Sequence, residues 1–306
     1  MSVERLTDLD DARVAAYRDL SDAALLKSHG LFVAEGRLVV RRLIEEGRYA
    51  LRSLLLNDAA FRSLEPLLAR VGEDVAIFRC GSADFLGLTG HHIHRGCLAL
   101  VERPPAPSLQ TLLHSIEAKS GSPDSGAGAD QPGRSTTTLV ILEGVTNADN
   151  VGGVFRNAAA FGATAVLLSP TCCDPLYRKA IRTSMAATLQ VPHARIDDWP
   201  GGLDALRARG YTIVALTPRE PSVTLTAFSA APRPGRVALL AGTEGEGLTT
   251  GAEDAADVRV RIPIAPAVDS LNLAVAVGIA LHQLSPSRTA REPMHNDVQR
   301  RERSDR

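Results

Sequence analysis

From Thr138 onward the chain alternates short apolar runs with amphipathic stretches. The runs are "TLVILEG", "ATAVLLSP", "LQVPHAR", "YTIVALTP", "VALLAG" and "VRVRIPI". Runs of four to eight aliphatic or β-branched residues, spaced by helix-like segments, predict parallel strands buried on both faces in a βαβ architecture. The N-terminal third reads as a smaller α/β unit. There "LFVAEGRLVVRRLIEEG" predicts a strand feeding an amphipathic helix, and "LRSLLLND", "DVAIFRC" and "GCLALVERP" predict further strands. From Ala106 the pattern loosens, and "KSGSPDSGAGADQPGRSTT" has the Gly, Ser and Pro content of a flexible linker. The expected organisation is an N-terminal domain over 1–105, a linker over 106–136, a C-terminal domain over 137–285, and a disordered tail over 286–306 that has few apolar residues.

Composition refines this picture only in part. A chain of 306 residues with 44% hydrophobic content suits two globular domains. The net charge of -1 announces no polyanion partner, so nucleic-acid binding would have to come from local patches. Cys80, Cys97, Cys172 and Cys173 show no metal-ligand spacing and read as reduced thiols. The charged N-terminus is unlike a signal peptide, and no apolar run reaches the ~18 residues of a membrane span, so a cytoplasmic protein is expected. No metal is expected either: His91, His92 and His94 stand together, but no Cys or carboxylate completes a set with them.

In a parallel sheet, chemistry is sought just past the strand ends. After "LVILEG" comes "VTNADNVGGVFRNAAAFG", in which Asn147, Asp149 and Asn150 suit a turn and an N-cap, Gly152 and Gly153 permit close backbone approach, and Gly162 stops the helix. Capping does not account for Arg156, set among Val154, Phe155, Ala158, Ala159 and Phe161. A guanidinium sheltered there needs an anion, either an RNA phosphate or an internal carboxylate. After "VALLAG" comes "GTEGEGLT", a glycine loop suited to wrapping a ligand with its backbone, with Glu244 or Glu246 to hold hydroxyls; an ordinary surface turn reads similarly. Its glycine order is not the dinucleotide fingerprint, and no P-loop occurs, which disfavours a dehydrogenase. After "VRVRIPI" comes "APAVDSLNLAVAVGIALHQL". There Asp269 or Ser270 can cap a helix whose run from Leu271 is apolar nearly all round, predicting burial on most sides, with Asn272 as a polar residue in its first turn that serves either the cap or a ligand.

Taken in order, these segments read N-x-G-x-x-x-R with A-x-x-F-G downstream, then G-T-E-G-x-G, then I-P-x-x-x-x-x-S-L-N. They resemble the three motifs of the SpoU (TrmH-like) RNA 2′-O-ribose methyltransferases of the SPOUT superfamily. The resemblance covers about residues 137–285 and rests on Asn150, Gly152, Arg156, Phe161 and Gly162; Gly242, Glu244, Gly245 and Gly247; and Ile262, Pro263, Ser270, Leu271 and Asn272. It implies a trefoil-knotted α/β domain working as a homodimer, with S-adenosylmethionine held at Thr217, Gly242, Glu244, Gly245, Gly247, Ile262 and Leu271. Arg156, Asn150, Glu244, Ser270 and Asn272 would form the catalytic set. A guanidinium is a poor base, so Arg156 is expected to clamp a phosphate and stabilise the developing alkoxide, its rotamer fixed by Asn150, Ser270 and Asn272.

The N-terminal segment resembles the substrate-binding domain that precedes the knot in many members of the family, a fold akin to a ribosomal protein; "FVAEG" and "HHIHRGCLALVE" carry that likeness. Its acidic and basic residues nearly balance, so RNA contacts fall to patches such as Arg37, Arg41 and Arg42, or His91 to Arg95. In "DPLYRKAIRTSMAA", Arg178 and Arg182 share a helical face that suits phosphate or plain solvent. The family often has R-x-S-x-G here, and Ala186 stands in place of that glycine. Ribosomal or transfer RNA is the implied substrate, ribosomal slightly favoured. The competing readings are a non-catalytic knotted RNA-binding protein and a base-methylating relative.

Overall fold

The computed structural model describes residues 3–6, 10–18, 21–82, 84–85, 96–120, 137–232 and 234–285. The His91 to Arg95 patch, most of the glycine-rich linker and the tail lie outside the described residues.

Five strands build the N-terminal sheet: β1 (Val3–Arg5), β2 (Leu31–Glu35), β3 (Leu51–Asn57), β4 (Ala76–Cys80) and β5 (Cys97–Glu102), in the order β1-β4-β3-β5-β2. β3 runs parallel to β4 and antiparallel to β5, which in turn pairs antiparallel with β2. Helices α1 (Arg37–Glu46) and α2 (Asp58–Leu68) cover one face, burying Val39, Val40, Leu43, Ile44, Leu64 and Leu68. The other face carries Val14, Tyr17 and Leu25. There the Tyr17 hydroxyl lies 2.7 Å from the Ser53 hydroxyl and accepts from the Leu100 amide, so a buried polar group is satisfied at the core's centre.

The C-terminal sheet is wholly parallel among its described pairs. Its strands are β6 (Thr137–Glu143), β7 (Ala165–Leu168), β8 (His193–Arg195), β9 (Thr212–Leu216), β10 (Val223–Thr224), β11 (Arg236–Gly242) and β12 (Val258–Arg261), in the order β10-β12-β9-β11-β6-β7-β8. The six apolar runs of the sequence supply six of these strands. Successive residues point to opposite faces. Val140, Leu142, Leu239 and Ala241 therefore join one core, under α4 (Ala148–Phe161) and α9 (Leu273–Leu284), while Leu139, Ile141, Ala238 and Leu240 join the other.

That second face is closed by α3 (Leu109–Ser120), α6 (Asp204–Arg207) and α8 (Thr250–Asp254). The helix α3 departs from the expected linker over 106–136. Leu109, Leu112, Leu113 and Ile116 fall at i, i+3, i+4 and i+7, a helical stripe that the flanking prolines obscure in the sequence, and it buries against the sheet.

The two units meet at α5 (Arg178–Thr183). Leu176, Ile181, Ala186 and Leu189 enter the N-terminal core beside Phe32, Val40 and Leu43. Each cation of the basic cluster meets a carboxylate: Arg182 lies 3.2 Å from the buried Glu35, Lys179 2.7 Å from Asp149, and Arg178 Nε 3.7 Å from Asp22, which also accepts from the Arg178 backbone amide at 2.8 Å. The Lys179 hydrogen bond holds the Asp149 carboxyl below its ordinary range. Arg42, grouped by sequence with possible RNA contacts, donates to the Met185 carbonyl at 2.6 Å and so ties α1 to the turn after α5.

In that turn Met185 and Ala186 have φ of 53° and 70°, the left-handed region where glycine is at ease. The glycine common in the family at position 186 thus has a conformational reason, and Ala186 tolerates the position because its methyl is 1% exposed in the interdomain core. Relief of roughly 1 kcal/mol of left-handed strain against a lost buried methyl of roughly 0.8 kcal/mol makes Ala186→Gly close to neutral. A β-branched side chain cannot adopt this conformation cheaply, so Ala186→Val is expected to cost about 2 kcal/mol or more. Urea denaturation of the two variants checks the contrast.

Candidate functional site

Four neighbouring strands, β12, β9, β11 and β6, end at one edge of the parallel sheet, and the loops after them converge there. One cleft is lined by Thr217 and Pro218 after β9; Gly242 to Gly245 and Gly247 after β11; Ile262, Ile264, Asp269, Ser270 and Leu271 after β12; and Leu273 and Ala276 of α9. Every residue expected to hold a cofactor lines it. Pro218, Thr243, Ile264 and Asp269 also line it; the sequence put Thr243 in the glycine motif and Asp269 at a helix cap, and Pro218 and Ile264 only beside motif positions.

The glycine loop is shaped by contact at its root. A Cβ on Gly242 would sit 2.3 Å from the Gly247 carbonyl carbon and oxygen and 2.5 Å from the Leu248 amide nitrogen, so only glycine lets the loop fold back on its own start. Thr243 and Gly247 close the turn through a backbone bridge, and Gly247 has a φ of 73°.

One side-chain amide ties the three motifs together. Asn272 Nδ2 donates to Asn150 Oδ1 at 2.9 Å and to Glu244 Oε1 at 2.8 Å, while its Oδ1 accepts from the Val275 amide at 3.2 Å. Asn272 is therefore the N-cap of α9, in place of the expected Asp269 or Ser270, and stands one residue before the helix. Asn150 is 5% exposed, inside the first turn of α4, where Asn147 is the cap and accepts from the Asp149 amide at 2.9 Å. A buried amide oxygen needs a donor, and Asn272 supplies it.

Two sequence expectations are corrected. Arg156 is exposed and, among the described residues, has no hydrogen bond or ion pair, so neither Asn150, Ser270 nor Asn272 fixes its rotamer. At ~100° per residue, Arg156 lies about 120° around α4 from Asn150. It lines an adjacent groove with Gly153, Asn157, Thr183, Ala274 and Val275. Helix α9 is also not buried on most sides. Leu273, Val277, Ala280, Leu281 and Leu284 face the core, while Val275 and Ile279 are 50% and 39% exposed along the same groove.

Of the expected RNA contacts, Arg41 is exposed on α1, with the Ser63 carbonyl at 3.5 Å, and Arg37 is half-buried at the start of that helix. Arg178 and Arg182 are the interdomain pairs described above. Among the described residues there is no cluster of His, Cys, Asp or Glu that could hold a metal ion and no helix long and apolar enough to cross a membrane.

The sequence profile of the SpoU rRNA Methylase family matches residues 137–282. An uncharacterized tRNA/rRNA methyltransferase of Mycobacterium bovis is 37% identical over 292 residues, 94% of this chain and 93% of the relative. The chain belongs to the SpoU rRNA methylase family. A 23S rRNA (guanosine-2′-O-)-methyltransferase of a Burkholderia species is 32% identical over 236 residues, covering 77% of this chain and 86% of the relative. The crystal structure of an AdoMet-bound rRNA methyltransferase from Sinorhizobium meliloti shares the fold, with a TM-score of 0.71 at 24% identity over 92% of this chain and 97% of the other. The cleft and the Asn150, Asn272, Glu244 network thus lie within the SpoU methylase region of the chain.

Asn272→Asp keeps a good N-cap but sets a carboxylate against Glu244. Two carboxylates at this range repel while both are ionised, and the repulsion goes once one of them takes up a proton, so the penalty is present in neutral and alkaline solution and fades in acid. Thermal melts should show a loss of about 1–3 kcal/mol at pH 8 that shrinks toward pH 5. Asn272→Ser should show no such pH dependence.

Proposed function

We propose that this protein transfers a methyl group from S-adenosylmethionine to a ribose 2′-hydroxyl in structured RNA, ribosomal RNA ahead of transfer RNA, in the cytoplasm. The observation that carries this reading is the Asn272 amide bridging Asn150 and Glu244 at the mouth of the glycine-loop cleft. The cleft fits the cofactor: Gly242 and Gly247 leave its backbone bare, Thr217 and Leu271 offer main-chain partners for a polar group, and Ile262, Leu273 and Ala276 give an apolar wall for an adenine ring. When bound, the sulfonium supplies an electrophilic methyl carbon. The chain's part is to orient the ribose, exclude water and accommodate the charge that develops as the hydroxyl loses its proton.

Arg156 suits a phosphate of the substrate. It is exposed and, among the described residues, has no ion pair, and its planar fork matches two phosphate oxygens. Asn272, itself held by Asn150, keeps Glu244 beside the cleft, where its second oxygen can accept from a ribose hydroxyl. Ser270 adds a hydroxyl at the same rim. Arg37 and Arg41 on α1 are the outer RNA contacts in this reading, with the N-terminal sheet as the RNA-binding unit. Arg178 and Arg182 set the orientation of that unit through Asp22 and Glu35. The knot belongs to the same proposal, supported by the strand order and by the return of α9 across α4.

Pairing of two copies through the α4–α9 groove completes the reading. Val275 and Ile279 form an exposed apolar stripe beside Gly153 and Ala274, and an unpartnered stripe of this kind favours association. A two-fold contact there is self-complementary and places each Arg156 at the seam, where RNA lying across both copies would meet it.

The direct test incubates the protein with methyl-labelled S-adenosylmethionine and total RNA from a strain that lacks it, followed by nucleoside mass spectrometry. Label is expected in a 2′-O-methyl nucleoside, with Arg156→Ala lowering the rate by about 100-fold or more while leaving the melting temperature unchanged. Label on a base would replace the ribose assignment. For the pairing, light scattering is expected to give a dimer that the double variant Val275→Glu, Ile279→Glu converts to a folded monomer.

A further inference from the structure

Arg219 follows Thr217 by two residues and takes no part in any of the three motifs, yet its hydrogen bonds converge on the glycine loop. Nη1 donates to the Leu248 carbonyl at 2.9 Å and Nη2 to the Glu246 carbonyl at 2.7 Å. Nη1 also lies 3.3 Å from Oε1 of Glu253, on α8, whose side chain is 5% exposed. The same carboxylate oxygen accepts from the Thr217 hydroxyl at 2.7 Å, and that hydroxyl accepts from the Arg219 amide at 3.2 Å. Three segments are joined by this figure: the end of β9, the far limb of the glycine loop, and α8.

The charge balance explains why it holds. Glu253 is buried and needs a cation and donors, which Arg219 and Thr217 provide. The loop carbonyls at 246 and 248 leave the sheet without ladder partners, and a guanidinium presents several donors in one plane to meet them. At the loop's other side a second buried carboxylate, Glu143, accepts from the Thr249 amide at 2.8 Å, the Thr249 hydroxyl at 2.7 Å and Trp199 Nε1 at 2.6 Å. The loop is thereby fixed to the sheet from both flanks, with residues 242–245 and Gly247 lining the cleft.

We propose that Arg219, seated on Glu253, is a positioning residue that preorganises the glycine loop for the cofactor. This rests on the reading above that the loop holds S-adenosylmethionine. Arg219 itself acts only through the loop. Without the fork, residues 243–248 would sample many conformations, and binding would have to order them, which weakens affinity without removing any direct contact.

The test compares Arg219→Ala, Arg219→Lys and, as a matched control, Arg207→Ala. Arg207 forms a comparable fork on the back of the domain, with Asp257 at 3.0 Å, Asp204 at 2.5 Å and the Ala255 carbonyl, but does not reach the glycine loop. In the ligand-free protein, hydrogen exchange of the 243–248 amides is expected to quicken at least about tenfold in both Arg219 variants and in neither wild type nor Arg207→Ala. Calorimetric titration with S-adenosylmethionine is expected to show at least about tenfold weaker binding in the Arg219 variants, with Arg207→Ala within about twofold of wild type. Lysine should fail to rescue, since one ammonium cannot serve two carbonyls and a carboxylate together. Wild-type affinity and exchange in Arg219→Ala would overturn the proposal, as would an equal loss in Arg207→Ala. Protection of wild-type 243–248 by S-adenosylmethionine supports the loop's assignment; protection elsewhere removes that assignment, while exchange in the free protein still judges the clamp. Should Arg219→Ala fail to fold, Arg219→Lys carries both readouts.

Discussion

Parallel strands leave all their carboxyl ends on one edge, and the backbone groups of the loops that follow must find partners there or in water. In this protein β12, β9, β11 and β6 end side by side, so four loops compete for the same small volume. Side chains settle the competition: two buried carboxylates, Glu143 and Glu253, and one amide, Asn272, bind the loops to one another. Each is placed by a strand or helix terminus, where backbone donors would otherwise go unmet. The cleft is what remains uncovered once those bonds are made.

The same economy governs the junction between the two units. α5 carries three cations in a run of five residues, and each meets a carboxylate from a different segment. Apolar residues on either side of the helix close the N-terminal core, so one unit is registered against the other by packing as well as by charge. The strained turn at Met185 and Ala186 is sustained by this junction, since the Ala186 methyl is buried in it and Arg42 holds the Met185 carbonyl.

Helix α9 divides the site into two environments. Its N-terminus caps itself with Asn272 and thereby gathers Asn150 and Glu244 beside the cleft. One turn later, Val275 faces the groove that holds Arg156. That groove sets a guanidinium with no ion pair among the described residues beside the exposed apolar side chains of Val275 and Ile279.

The six apolar runs determined the parallel sheet, because burial on both faces demands uninterrupted aliphatic residues and little else produces them. Turn and cap chemistry determined Asn147, Gly162 and the glycine loop, and the spacing of three polar segments at strand ends carried the family resemblance. The α3 helix was legible too, in Leu109, Leu112, Leu113 and Ile116, though prolines and the glycine-rich stretch beside it pointed to a linker. Only the tertiary structure decided that Arg156 faces out while Asn150 faces in, since the sequence states that α4 is largely apolar but not which side meets the sheet. It alone showed Asn272 as a cap that bridges residues 122 and 28 positions away, and Arg219 and Glu253 as a clamp. Such pairings depend on which strand ends become neighbours, and strand order is written in no local pattern of residues.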